Sequence, residues 1–371
     1  MRSLDRYILR QCLTPLVMIL VVVTTIVWMT QTLQRVDILV EYGQGFGVFG
    51  YLSILIIPSL LAVIIPFAVF GATVYALYRM HTDSEIAVMF AAGVGRARIA
   101  APLLLVTFIG ALVTFYVNAD LMPRSYRILK ERIADIRADF ASSLIRSGEF
   151  ANVVDGFTIY VEEARPGGQF VGLLINDHRN GENPETYMAE RAVLQETDNG
   201  PVMFLRDGNI QRVAQYTGDV SIIRFEEWAI NIGNLQQGPR EFYLEETERY
   251  LGELFNPDLT KPYDRNFTGK LIAEGHARVA APIYTFAYVF AGLYALIGGA
   301  YSRRGYFIRV AAASAAIFAL RVAGFLAQGF AEQSGAYWTI YAPPVGATVI
   351  LTVMLFFSDT LKTAFTKPEP A

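Results

Sequence analysis

The chain reads as an α-helical membrane protein with six spans and an inserted all-β domain. Three observations predict this class. First, apolar runs at roughly 13–34, 51–78 and 99–119 precede a polar stretch of about 155 residues, and runs at roughly 279–300, 306–331 and 337–357 follow it. Each is about 20 residues or longer, so as a helix rising about 1.5 Å per residue it crosses the roughly 30 Å hydrocarbon core. Second, 53% of the 371 residues are hydrophobic, yet 18% are charged, and those charges gather in the polar stretch and short loops. Third, the side-chain period inside the polar stretch falls to two, the spacing of strands. Three parts follow: 1–120 with three spans and a short cytoplasmic helix near 82–93; 121–275 with a connector helix and the β domain; and 276–371 with three more spans and a short tail.

The first run resembles a signal peptide only superficially. It is too long, holds Pro15 early and lacks a small-x-small cleavage site, so it is expected to be a retained helix. Basic residues flank the spans unevenly. Arg2, Arg6 and Arg10 precede the first, Arg79, His81, Arg96 and Arg98 lie between the second and third, and Arg303, Arg304 and Arg309 lie around the fourth-to-fifth turn. Lys362 and Lys367 follow the sixth. The opposite loops, 35–50 and 332–336, hold only Arg35 among basic residues, beside Asp37, Glu41 and Glu332. The positive-inside rule then places both termini in the cytoplasm and the insert in a periplasm-like space.

The third run continues past the membrane. Beyond Met122-Pro123, residues 124–145 keep helical spacing, with Ile128, Ile133, Ile136 and Phe140 among charges, as an amphipathic connector would. From Gly148 onward, strands are expected at 157–161, 170–175, 187–194, 202–205 and 220–225. Turn residues separate them, and Asp207-Gly208 between Leu205 and Ile210 has the chemistry of a hairpin. Short strands at this rhythm predict a sandwich or jelly roll. Its apolar parity is either a closed core or an open container for an apolar ligand, and periodicity does not separate the two. Residues 251–270 read as a loop returning to the membrane, with Thr268 as a helix cap.

The insert holds about 25 acidic and about 17 basic residues within a chain of net charge −3, which argues against nucleic acid as a partner. The single cysteine, Cys12, permits no internal disulfide. His81, His178 and His276 stand far apart, and no H-E-x-x-H or G-x-S-x-G motif occurs. Gly269-Lys270 is followed by Leu271, and Asp264 stands where a P-loop needs its first glycine. No cofactor or catalytic residue is therefore expected. Without an energy source of its own, the protein is either driven by a partner or is a receptor or mechanotransmitting membrane protein with an outer β domain.

The segment between the second and third spans favours the driven reading. Asp83 or Ser84 is able to cap a short helix, Ile86, Met89 and Phe90 share one face, and Gly93 is a stop. Such a helix either lies in the headgroup layer or docks in the groove of a soluble ATPase. The run Ser84-Glu85-Ile86-Ala87-Val88-Met89-Phe90-Ala91-Ala92-Gly93-Val94 resembles the S-E-(L/I)-x-x-M-x-A-A-G-(V/I/L) signature of the lipopolysaccharide-export permeases of the LptF/LptG family. The resemblance extends over Asp5-Arg6-Tyr7-Ile8-Leu9-Arg10, residues 58–68, Pro123, Gly148-Glu149-Phe150, 158–161 and 276–282. The Pro58-Ser59-Leu60-Leu61-Ala62 pattern is nearer the LptF branch than the LptG branch.

The resemblance implies a Gram-negative inner-membrane permease subunit that works beside its sibling LptG and an LptB ATPase dimer. Lipopolysaccharide would enter by a lateral gate near the first and fifth spans, then pass to the jelly roll and a periplasmic bridge of LptC and LptA. Glu85 would couple to the ATPase through a charge-assisted hydrogen bond, with Ile86, Met89 and Phe90 as apolar anchors and Gly93 turning the chain. Arg35 and Arg321 are the candidates for lipid phosphate, since an arginine in a span is expensive and its fork suits phosphate. The small residues of the fifth span, among them Ala312, Ala316, Ala319 and Ala323, permit the close approach a gate needs. Ile159 and Met203, on the apolar strand parity, are the candidates for an acyl-chain groove.

Overall fold

The structure, a computed structural model, describes residues 3–34, 46–143, 147–154, 156–165, 169–178, 184–197, 200–213, 220–231, 243–298 and 306–365. It divides into a helical unit, Met1–Leu129 with Leu244–Ala371, and a second unit, Lys130–Tyr243.

In the helical unit, α1 (Ser3–Leu33) is apolar nearly all round and buries only Ile8 and Cys12. The second apolar run, expected as one helix, is two: α2 (Phe46–Ile54) and α3 (Ile57–Thr82). Pro58 explains the break. It suits the first turn of α3, where no N–H is needed, and it has no N–H to offer the Ile54 carbonyl four residues earlier, where α2 ends. A short helix α4 (Glu85–Ala91) joins α3 to α5 (Arg96–Tyr116). As expected, the third run continues: a π-helical turn, Val117–Leu121, leads directly into α6 (Met122–Ser143). Pro123 stands just past that turn, and its missing N–H removes one rung of the regular ladder.

The return segment, expected as a loop, contains two single-turn helices, α7 (Leu251–Phe255) and α8 (Pro262–Asn266). Helix α9 (Thr268–Ile297) then starts with Thr268 already inside it. Thr268 is not the cap: its hydroxyl donates to the Asp264 carbonyl at 2.6 Å. Helices α10 (Tyr306–Ser334) and α11 (Ala342–Phe365) complete the unit, with a 3₁₀ turn at Tyr337–Ile340 between them. That turn takes the start of the sixth apolar run, because Pro343 and Pro344 suit the first turn of a new helix.

Among the described residues, five segments are long and apolar enough to cross a membrane: Ser3–Leu33, Gly47–Thr82, Arg96–Ile133, Thr268–Ile297 and Tyr306–Ser334. The sixth run lies in α11, whose apolar part, Ala342–Phe357, is shorter. Helix α9 is the centre of the bundle, with 72% of its apolar window buried, against 6% for α1 and 11% for α10. Gly324 of α10 is required by that packing, since a Cβ there would lie 2.0 Å from the Tyr284 hydroxyl oxygen on α9.

Among its described residues the second unit holds six strands: β1 (Phe150–Val154), β2 (Phe157–Arg165), β3 (Gln169–Asp177), β4 (Glu185–Thr197), β5 (Gly200–Val213) and β6 (Val220–Asn231). The all-antiparallel insert expected from the sequence is present. These strands form one sheet in the order β1-β2-β3-β4-β5-β6, a meander in which each described strand pairs with its sequence neighbour; among the described residues the crossovers of the expected jelly roll are not seen. Register places Ile159 opposite Ile175, Val161 opposite Leu173, and Leu194 opposite Met203. The apolar side chains thus share one face and pack into a core with Phe157, Phe170 and Leu205.

Asp207-Gly208 makes no hairpin, correcting the sequence reading. Both residues lie inside β5, which pairs on either side of them with β4 and β6. The glycine serves packing: a Cβ at position 208 would meet the Met188 carbonyl oxygen at 2.2 Å and the Phe225 ring at 2.5 Å. The ring of Phe225 lies over the space the glycine leaves.

Candidate coupling turn and lipid-facing sites

The short helix α4, Glu85–Ala91, forms within the expected 82–93, three residues inside its start and two inside its end. Ser84 precedes it in the left-handed conformation, φ 60°, without a side-chain cap hydrogen bond. At the other end Gly93 has φ 81°, and its N–H and that of Val94 return to the Phe90 and Met89 carbonyls at 3.0 and 2.9 Å. This left-handed stop favours glycine, which lacks the Cβ that would clash.

The three apolar side chains of this helix do not act alike. Ile86 is 0% exposed and belongs to the core of the helical unit, so it ties α4 to its own chain and presents nothing outward. Met89 is half-buried against the same core. Phe90, 40% exposed, remains available, and Val88, 66% exposed and unremarked in the sequence reading, is the larger outward surface. Helical period identified a shared face but not which side of it met the core.

Glu85, the first residue of α4, is held from α1. The Tyr7 hydroxyl donates to Glu85 Oε1 at 2.7 Å, and Gln11 Nε2 donates to the Tyr7 oxygen at 3.0 Å. Nearby, Arg98 Nη2 donates to Asp5 Oδ2 at 3.0 Å, joining α1 to the start of α5. The role of the opening Asp5-Arg6-Tyr7 segment was not legible, because each partner lies more than 70 residues away. The carboxylate of Glu85 also stands at a helix N-terminus, where the backbone dipole favours negative charge.

Near the middle of α10, Arg321 lines a polar cavity of about 360 Å³ with Asn118, Glu274, Arg278, Gln328 and Glu332. Its guanidinium lies 4.4 Å from the Phe325 ring centre and 5.4 Å from that of Tyr284. Among the described residues it makes no ion pair. Arg35, the other phosphate candidate, lies outside the described residues with Asp37 and Glu41. Ile159 and Met203 share the apolar sheet face, at 1% and 0% exposure, in a closed core.

Sequence reasoning missed a buried clamp beside the Arg321 cavity. Arg278 donates through Nε to Glu274 Oε1 at 2.8 Å, and through Nη1 and Nη2 to the Arg249 and Glu246 carbonyls at 2.7 and 2.6 Å. A longer contact, 3.4 Å, reaches the Asn118 carbonyl in the π turn. Arg249 in turn grips buried Asp264 with both guanidinium nitrogens. That grip holds the Asp264 carboxyl below the usual carboxylate range and raises Arg249 above its ordinary value. Burial, reinforced by Glu246, pushes the neighbouring Tyr263 up to about 12. The charged residues of 244–278 were visible in sequence, but helical period carries no information about partners in other elements.

Apolar helices long enough to span, an inserted antiparallel sheet and a short helix in the turn between two spans define a multi-pass helical membrane protein with a β domain. Comparison with known proteins narrows the class. The chain belongs to the lipopolysaccharide export system permease LptF/LptG family, whose profile matches residues 6–358. It is similar to an uncharacterised protein of Rickettsia prowazekii, 26% identical over 356 residues, covering 95% of this chain and 97% of that one. It is also similar to the lipopolysaccharide export system permease protein LptF of Escherichia coli K12, 23% identical over 232 residues, covering 62% of this chain and 63% of the relative. The Shigella flexneri LptF matches to the same extent. The protein is accordingly a multi-pass inner-membrane transporter component and not itself an enzyme.

Proposed function

We propose that this chain is the LptF-type subunit of a transporter that extracts lipopolysaccharide from the inner membrane and passes it toward a periplasmic bridge. An LptG-type sibling completes the pathway, a separate LptB ATPase dimer drives it, and LptC and LptA receive the lipid. The similarity to E. coli LptF favours that branch. Both termini and α4 lie in the cytoplasm, and the sheet lies in the periplasm, as the distribution of basic residues requires.

One observation carries the reading: α1 and α10, the first and fifth spans, are the least buried of the five, at 6% and 11%. Helix α10 turns only Ala313, Ile317, Gly324 and Ala331 inward along most of its length, leaving Ala312, Ala315, Ala316 and Ala319 outward. Small outward residues permit close approach of a sibling helix, and a gate between two such helices opens by their separation. Glu85 with exposed Val88 and Phe90 forms the ATPase contact, while Arg35 and Arg321 hold lipid phosphate. The sheet face around Ile159 and Met203 takes acyl chains only if its closed core opens.

The test is a disulfide between a cysteine at Ala315 and one on the first span of the sibling. Cross-linking should stop export, and reduction should restore it. Efficient cross-linking with undiminished export would rule out a moving gate at this pair.

A further inference from the structure

A second groove, which shares only Tyr7 and Gln11 with the sites above, runs between α1 and α3. Its volume is about 550 Å³, within the range of small-molecule sites. One end is polar: Arg10 and Arg79 stand there with Tyr7, Gln11 and Tyr75. The remainder is apolar, formed by Pro15, Met18, Ile19, Val22 and Val23. Tyr75 and Arg79 are four residues apart and share one face of α3, opposite the corresponding stripe of α1. From Arg10 to Val22 the helix rises about 18 Å, a little over half the hydrocarbon thickness. The groove therefore has the length of one leaflet and the polarity of one lipid, with cations at the surface and an apolar trough reaching the midplane.

Its charges suit an anion. Among the described residues no carboxylate lines the groove. Arg10 makes no ion pair among the described residues, and Arg79 has only a long one, 3.9 Å from Asp83 with both side chains more than half exposed. Two guanidiniums at one end match a phosphodiester, and the two tyrosines suit the headgroup level.

We propose that this groove binds an anionic glycerophospholipid, its phosphate between Arg10 and Arg79 and one acyl chain along Pro15–Val23. Because Tyr7 both lines the groove and donates to Glu85, the bound lipid adjoins the coupling turn. Assigning the lipid to the cytoplasmic leaflet rests on the orientation proposed above. Occupancy of the groove does not.

The probe is phosphatidylglycerol carrying a diazirine midway along one acyl chain, in phosphatidylethanolamine vesicles holding the full chain with its co-purifying subunits. Adducts between Met18 and Val23 are measured by peptide mass spectrometry, relative to adducts on the exposed α10 face at Phe318 and Leu326. Labelling should be enriched in the groove. Replacing both arginines, R10Q with R79Q, should lower that enrichment roughly twenty-fivefold, a factor of about five for each cation removed near the surface. V22W, which fills the trough and keeps both charges, should abolish it. A groove ratio unchanged in both variants, equal labelling by the phosphatidylcholine analogue, or displacement of the probe by lipopolysaccharide would each overturn the proposal. Labelling requires no export, so a transporter that fails to export yet labels in the groove overturns only the export reading.

Discussion

The helical unit and the sheet unit solve the same burial problem in opposite ways. In the sheet, alternation drives Phe157, Ile159, Val161 and Leu205 to one face, while the other carries cross-strand pairs such as Arg191–Asp207 and Arg206–Glu227. In the helical unit, α1 exposes Val17, Met18, Val21, Ile26 and Met29, and its polar contacts gather at its ends. A sheet of that exposed composition would aggregate in water. The helices are stable because lipid is as apolar as their side chains, and most backbone groups are satisfied within the helix, the exceptions being the helix ends and the carbonyls facing internal prolines such as Pro15. Stability therefore has different sources: in the sheet, removal of apolar area from water; in the helical unit, close packing and a few buried polar contacts.

The largest expected effect breaks one of those polar contacts. Asp264→Ala leaves the Arg249 guanidinium buried and unpaired, at a cost of about 3–5 kcal/mol. Thermal unfolding should show a large loss confined to the helical unit, with protease resistance of the sheet unchanged. The pair also fixes a pH dependence. Because the folded Asp264 carboxyl lies below its unfolded value near about 3.9, its contribution is complete above that value and lost as pH falls through the folded one. Wild-type stability should thus fall in acid with a component that Asp264→Asn lacks.

Next comes the sheet core. Ile159→Ala or Met203→Ala should cost about 2–5 kcal/mol, read by chemical denaturation of the sheet's tryptophan signal from Trp228. A cost near zero at either position would mean that the face is normally open, which would favour acyl-chain passage over a closed core. Tyr7→Phe removes one hydrogen bond to a carboxylate at the surface, worth about 1 kcal/mol. It should lower ATP-coupled export several-fold without altering protein abundance. Unchanged coupling would leave Tyr7 a local contact only. Smallest is Arg206→Ala on the wet sheet face, where an exposed pair contributes less than about 1 kcal/mol. A denaturation midpoint that moved by more would contradict the contrast drawn between the two units.

The contrast also explains what the sequence made legible. Hydropathy located the spans, since a bilayer demands long apolar runs, and period two located the strands, since a half-buried sheet demands alternation. Both signals are local. The split at Pro58 was available in the sequence as a proline inside an apolar run, but hydropathy averages over it. Asp207-Gly208 misled because the same dipeptide that turns a hairpin also clears space for the Phe225 ring, a partner 17 residues away in sequence. Glu85 was picked out by its motif, and its tether to Tyr7 was not. Ile86 was read as an anchor for a partner, and it lies in the chain's own core. The Arg249–Asp264 grip and the Arg278 clamp depend on which elements become neighbours, and no periodicity encodes that.

The π turn at Val117–Leu121 has a consequence for the phase of the helix that contains it. A π turn accommodates one residue more than the regular α winding, and one residue corresponds to about 100° around the axis. Because the wide turn absorbs that residue, the sequence pattern steps by one position across 117–121 while the helix on either side keeps its phase. Deleting a single residue there would therefore restore regular winding with little change to α5 or to the first turns of α6, whereas a deletion in the regular part of α5 would turn the residues beyond it by about 100°. The turn acts as slack in the winding, and Arg278, reaching the Asn118 carbonyl inside it at 3.4 Å, ties that slack to α9.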